Sequence, residues 1–242
     1  MGSTSKEVIA KEKICLALDM EDRDKILGIV DELKGLVGYF KLNSAFALHG
    51  PGLVRDIKAK GCKVFLDLKF HDIPNTVSSY SAAAAAIGID IFNVHALGGK
   101  DMMVAALNSA EACRGRTRPR IIAVTVLTSH DKKSMNALGI PGEVDDEVLL
   151  LAKSAAEAGL DGIVCSAQDL ERIKPHLPKS FCFITPGIRP VGADKGDQKR
   201  VMTPANAIRA GSSLLVIGRA ILDAKDRKKA ALEILNDVVS AL

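Results

Sequence analysis

The chain has no tryptophan, and aromatic residues make up only 4% of its 242 positions, so its interior has to be packed with aliphatic side chains. No apolar run approaches the ~18 residues that a membrane-spanning helix needs. The first five residues, Met1 to Ser5, carry no signal-peptide core. The five cysteines (15, 62, 113, 165 and 182) include no CxxC pair, and several lie inside apolar runs. That pattern suits reduced, buried thiols of a cytoplasmic protein and gives no disulfide framework or zinc knuckle. Charge of one sign is also missing: the net +4 is mild and spread along the chain, which argues against a dedicated nucleic-acid surface but suits a site for a phosphorylated anion.

What is present is alternation. Apolar residues make up 48% of the chain, enough for a large core. Short apolar strands are expected at 14–18, 37–40, 62–68, 89–94, 120–127, 162–165, 181–184 and 214–217. Helical patterns fall between most of them, at 22–33, up to Lys60, through the alanine run 82–86, at 100–113, 145–158, 167–173 and 226–239. Eight β units, seven of them clearly followed by helix, predict a single-domain α/β protein, a (β/α)8 barrel over 13–242. Residues 1–12 are expected to be loosely ordered, and 132–142 to be a loop. The stretch 185–203 is polar, rich in Gly and Pro, and too long for an ordinary connection.

The chemistry concentrates in VFLDLKFHDIPNT, Val64 to Thr76. Residues two apart on a strand share a face, so Asp67 and Lys69 are expected to point together, with Phe65 below them. Asp72 follows just past the strand, and Pro74 suits the first turn of a helix. An Asp–Lys pair here is either an ion pair capping a strand or part of a site. Barrels of this kind carry their chemistry at the C-terminal ends of the strands. Those ends read Asp19, Lys41, Asp67 with Lys69, His95, Thr128, Cys165, Pro186 and Gly218-Arg219. Singly, Asp19 could cap a helix and His95 could be a hydrogen-bonded core histidine; charged residues on three successive strands favour a site. Gly218-Arg219 after the last strand, with Arg189 and Gln198 from the long loop, offers donors for a phosphate. Glycines 187, 192 and 196 would let that loop close as a lid.

DLKFHDIPNT, TPGIRP (185–190) and VIGRAI (216–221) resemble the orotidine 5′-phosphate decarboxylase family in its bacterial form, and the likeness runs from Lys13 to the end of the chain. The resemblance implies cofactor-free, metal-free decarboxylation of orotidine 5′-monophosphate to UMP and CO2 in pyrimidine biosynthesis. It makes Lys69 the proton donor and places Asp67 and Asp72 in alternation with Lys41 and Lys69. It gives the ribose hydroxyls to Asp19, Lys41 and Thr76, puts Thr128 near the pyrimidine, counts Pro186 among the substrate-binding residues, and assigns the phosphate to Arg189, Gln198, Gly218 and Arg219. It further implies a homodimer in which Asp72, Ile73 and Thr76 serve the neighbouring subunit's site.

Two rivals stand beside it. Magnesium-dependent sugar-phosphate enzymes share the barrel and the DxKxxD pattern, but carry an acidic residue where this chain has Lys41, and an ammonium there would repel Mg2+. A phosphate sensor or nucleic-acid binder built on Arg189, Arg200 and Lys225 to Lys229 would have no use for a lysine held between carboxylates.

Overall fold

The computed structural model describes residues 5–112, 117–190 and 201–242. Eight parallel strands close into a barrel in chain order. They are β1 (Ile14–Ala17), β2 (Tyr39–Leu42), β3 (Lys63–Phe70), β4 (Ile91–His95), β5 (Arg120–Val124), β6 (Gly162–Val164), β7 (Cys182–Thr185) and β8 (Leu214–Ile217). The helices among the described residues begin with α1 (Ser5–Lys11), α2 (Arg23–Leu33), α3 (Ser44–Ala59), α4 (Pro74–Ala86) and α5 (Gly99–Glu111). They continue with α6 (Lys132–Ala137), α7 (Val144–Glu157), α8 (Leu170–Ile173), α9 (Pro204–Ala210), α10 (Arg219–Leu222) and α11 (Arg227–Ser240). The (β/α)8 architecture expected from the alternation is the one observed.

Strand residues that face inward fill the barrel. Cys15, Tyr39, Phe65, Ile91, Ile122, Ile184 and Leu214 form a separate buried cluster inside it. Leu16, Phe40, Val64, Leu66, Phe92, Ile121 and Ala123 belong to the larger core between sheet and helices. The two-residue period of each strand sorts side chains between these layers. Gly162 is needed where it stands, because a Cβ there would lie 2.2 Å from the Cys182 carbonyl oxygen.

Three local expectations change. Residues 5–11 are not loose: they form α1, which buries Ala10 and packs on α11. The loop expected at 132–142 contains α6, held by a capping box in which Asp131 accepts from the Ser134 N–H and Ser134 bonds back to Asp131. The seventh strand also has its helix, α9, whose start is marked by the Thr203 side-chain cap and Pro204 in the first turn. Of the cysteines, 15, 62, 165 and 182 form no disulfide among the described residues, and 113 lies outside them. No helix of the described residues is long and apolar enough to cross a membrane.

Candidate active site

A cavity of about 260 Å³ opens at the C-terminal mouth of the barrel. Its floor is apolar (Ala17, Phe65, Val124, Val164, Val216), continuing the inward-facing rows of the strands. One wall carries Asp19, Lys41, Asp67, Lys69 and Asn93. The other carries Thr128, Pro186, Gly187, Arg189, Gly218 and Arg219.

The charged wall is a chain of alternating sign. Lys69 Nζ lies 2.6 Å from Asp67 Oδ1, Lys41 Nζ lies 2.9 Å from Asp67 Oδ2, and Lys41 Nζ lies 3.4 Å from Asp19 Oδ1. Burial is deepest in its middle and falls off toward both ends: the side chain of Lys41 is 8% exposed and that of Asp67 11%, against 37% for Lys69 and 55% for Asp19. Burial alone would raise the Asp67 carboxyl; the Lys41 and Lys69 ammonium groups, with hydrogen bonds from Lys69 and Asn93, overcome it and hold the pKa at about 2. Burial would likewise lower the pKa of Lys41, and the Asp67 and Asp19 carboxylates reverse that, leaving it above the ordinary lysine value. Both groups are ionised at neutral pH, which makes the pair a fixed dipole in a partly dry pocket.

Asp19 does not cap a helix. It accepts from Asn43 Nδ2 at 2.9 Å, while the cap of α2 is Asp22, which accepts from the Lys25 N–H. His95 stands outside the cavity lining; its Nδ1 is buried without a hydrogen-bond partner among the described residues, and its ring lies 5.4 Å from that of His71. Asp72, Ile73 and Thr76 also lie outside the lining in their own chain. Asp72 is exposed and accepts from the Ile73 N–H at 2.7 Å, and Ile73 is 66% exposed. On the far wall, Arg189 is buried and one of its Nη1 protons goes to the Ile188 carbonyl at 3.0 Å. A Cβ on Gly218 would come into ordinary contact with Ala17 Cβ at 3.5 Å and Asp19 Oδ2 at 3.7 Å, which places this backbone directly beside the charged wall. Gln198, Gly192, Gly196 and Arg200 lie outside the described residues.

Residues 12–234 match the model of the orotidine 5′-phosphate decarboxylase / HUMPS family. The curated orotidine 5′-phosphate decarboxylase of Moorella thermoacetica is 46% identical over 234 residues, 95% of this chain and 93% of that protein. The protein of the same name from Pseudoalteromonas translucida is 49% identical over 214 residues, 88% of this chain and 91% of its own. The chain belongs to this family. Among solved structures of orotidine 5′-phosphate decarboxylases, that from Lactobacillus acidophilus superposes with a TM-score of 0.83 at 34% identity, covering 94% of this chain and 99% of its own.

Two further residues hold the charged wall without standing out in the sequence: Asn43, which bonds Asp19, and Asn93, which touches both Asp67 and Lys69. The signal for Asn93 was a lone amide in the apolar strand IFNVH; a buried amide has to find partners, and the cavity wall supplies them.

Proposed function

We propose that Lys69 is the proton donor with which this chain decarboxylates orotidine 5′-monophosphate to UMP and CO2, as the carboxy-lyase step of pyrimidine biosynthesis. The activity rests on the curated relatives; the observation that supports the mechanism is the Lys41–Asp67–Lys69 relay, with an ammonium on each oxygen of one ionised carboxylate. When the bond from C6 to the carboxylate breaks, CO2 leaves neutral and the electron pair stays on C6. No neighbouring carbonyl accepts it, so stabilisation has to come from charge already in place. Lys69 supplies that charge and then its Nζ proton to C6, and the amine regains a proton from solvent. Asp67, held by Lys41, keeps the ammonium aimed without reorganisation during the reaction.

The opposite wall fits the rest of the substrate. Thr128 and Pro186 would line the base. Gly218, Arg219, Arg189 and Gln198 would take the phosphate, and Asp19, Lys41 and Thr76 the ribose. Binding energy from the remote phosphate can then be expressed in the transition state. The reaction needs no cofactor and no metal, because both oxygens of Asp67 already carry ammonium partners where a divalent ion would need hard oxygen ligands. A spectrophotometric assay of orotidine 5′-monophosphate loss should show turnover that survives EDTA; no turnover, or turnover that requires added Mg2+, would sink this reading.

The working unit is a cytoplasmic homodimer with shared sites. Exposed apolar residues follow three successive strands, Ile73 after β3, Leu97 after β4, and Leu127 and Leu138 after β5, which supports a contact at this mouth. Asp72, Ile73 and Thr76 would complete the neighbour's pocket. Lys69→Ala and Asp72→Ala subunits, each inactive alone, should regain up to about half of wild-type activity per mixed dimer, since one site then holds both lesions and the other none. Silence after confirmed subunit exchange would return Asp72 to its own chain.

A further inference from the structure

Between β3 and β4 the ladder pairs Leu66 with Phe92 and next pairs Phe70 with Val94. Four steps along β3 therefore match two along β4, and Asp67, Leu68 and Lys69 bulge opposite Asn93 alone. Within that bulge Lys69 has φ +52°, the left-handed region, and it is the single non-glycine residue with positive φ among the described residues. Backbone of this kind is disfavoured for any residue with a Cβ and persists only where its surroundings hold it.

Asn93 is what holds it. Its side chain is buried, the residue being 1% exposed. Oδ1 accepts from the Lys69 backbone N–H at 2.8 Å, standing in for a ladder partner that the bulge removes. Nδ2 donates at 2.7 Å to Asp67 Oδ1, the oxygen that also receives Lys69 Nζ at 2.6 Å. Chemistry fixes the amide's orientation: the N–H must meet oxygen and the carboxylate must meet nitrogen, and a reversed amide would set donor against donor and acceptor against acceptor.

We propose that Asn93 is a positioning residue for the decarboxylation, one amide that pins the left-handed backbone of Lys69 and the carboxylate that aims its ammonium. The inference rests on the reading of Lys69 as proton donor. The charged and titratable groups around Asp67 are Lys41 on β2 and Lys69 beside it, with Asp19, His95 and the Cys15 thiol further off.

Two variants separate the amide's halves. Asn93→Asp keeps the shape and the oxygen facing the Lys69 N–H but sets an acceptor against Asp67; Asn93→Ala removes both contacts. Each should lower kcat by about tenfold or more while UMP affinity stays within about threefold of wild type. In Asn93→Ala the acid limb of the pH–rate profile should move to higher pH, because Asp67 loses a hydrogen bond that favours its charged form. Wild-type kcat in both variants, or an affinity loss as large as the kcat loss, overturns the positioning role. Lys69→Ala, assayed alongside, keeps the two readings apart: if it is inactive while the Asn93 variants are normal, only the Asn93 inference fails, and if it turns over, the donor assignment fails. Hydrogen exchange in the unmodified enzyme gives a check that needs no variant to fold. The Lys69 amide should exchange slowly, and exchange at the rate of an exposed amide would overturn the proposal.

Discussion

Asp90 and Asp161 stand at the N-terminal mouth of the barrel, and Asp67 stands near the other mouth. Each is an acid beside a basic residue. Asp90, just before β4, accepts the Val64 N–H at 2.7 Å and Lys58 Nζ at 2.7 Å. Asp161, just before β6, accepts the Ile121 N–H at 2.7 Å and both ends of the Arg118 guanidinium at 2.6 and 2.8 Å. Both acids are thus fastened to the backbone of a neighbouring strand, and their cations close the arrangement. The partners of Asp67 are two ammonium groups and an amide, all side chains that end in a cavity. An acid tied to a peptide N–H holds the sheet together. An acid tied only to side chains holds its cations ready for something that enters.

The contrast makes its strongest prediction at the cavity. Lys69→Ala should nearly abolish decarboxylation while UMP still binds, and near-normal turnover would erase the functional half of the comparison. Arg219→Ala comes next: losing a charge-assisted fork should cost on the order of several kcal/mol in kcat/KM. A substrate without phosphate should show little further loss when Arg219 is also absent, and equal damage to both substrates would reassign the arginine.

The opposite mouth should respond in the opposite currency of measurement. Asp161→Ala leaves the Ile121 N–H without its acceptor and should cost about 1–3 kcal/mol of stability in denaturant unfolding. Its kcat should stay at the wild-type level; a catalytic defect with intact stability would collapse the distinction. The last effect is read by pH. Asp67 is depressed from 3.8 to about 2 in the folded chain, so its share of the stability is present above pH 4 and is lost as pH falls toward 2. That share is about 2 kcal/mol. Tm measured from pH 6 down to 2 should fall less steeply in Asp67→Asn than in wild type, and parallel curves would refute the linkage.

Much of this was legible in the chain. The barrel followed from the alternation of apolar strands and helical patterns, since each βα unit carries its own period. Lys41, Asp67 and Lys69 could be placed together because each ends a strand. Their joint geometry could not be, because it depends on the bulge, and nothing in VFLDLKF distinguishes a regular strand from one in which three residues face one. Asn93 was hidden for the same reason: its partners are set by the register of β3 on β4, a non-local quantity. Helices α6 and α9 had signals in Asp131 with Ser134 and in Thr203-Pro204, but each is short and its apolar stripe too brief to stand out. Asp19 resembled a cap because Asp is a common cap, and only Asp22, three residues later, meets a free helix N–H.

Past β7 the chain is cinched at a neck. Ile188 bridges Met202, the Arg189 N–H reaches the Met202 carbonyl at 3.0 Å, and the Met202 N–H reaches the Gly187 carbonyl at 3.3 Å. The connection from Pro190 to Val201, twelve residues of sequence, therefore begins and ends at that neck. With the ends joined by the protein itself, the span between them is a cassette. Doubling its length would cost only about 0.6 kcal/mol of closure entropy, so the barrel can tolerate wide variation there in length and composition.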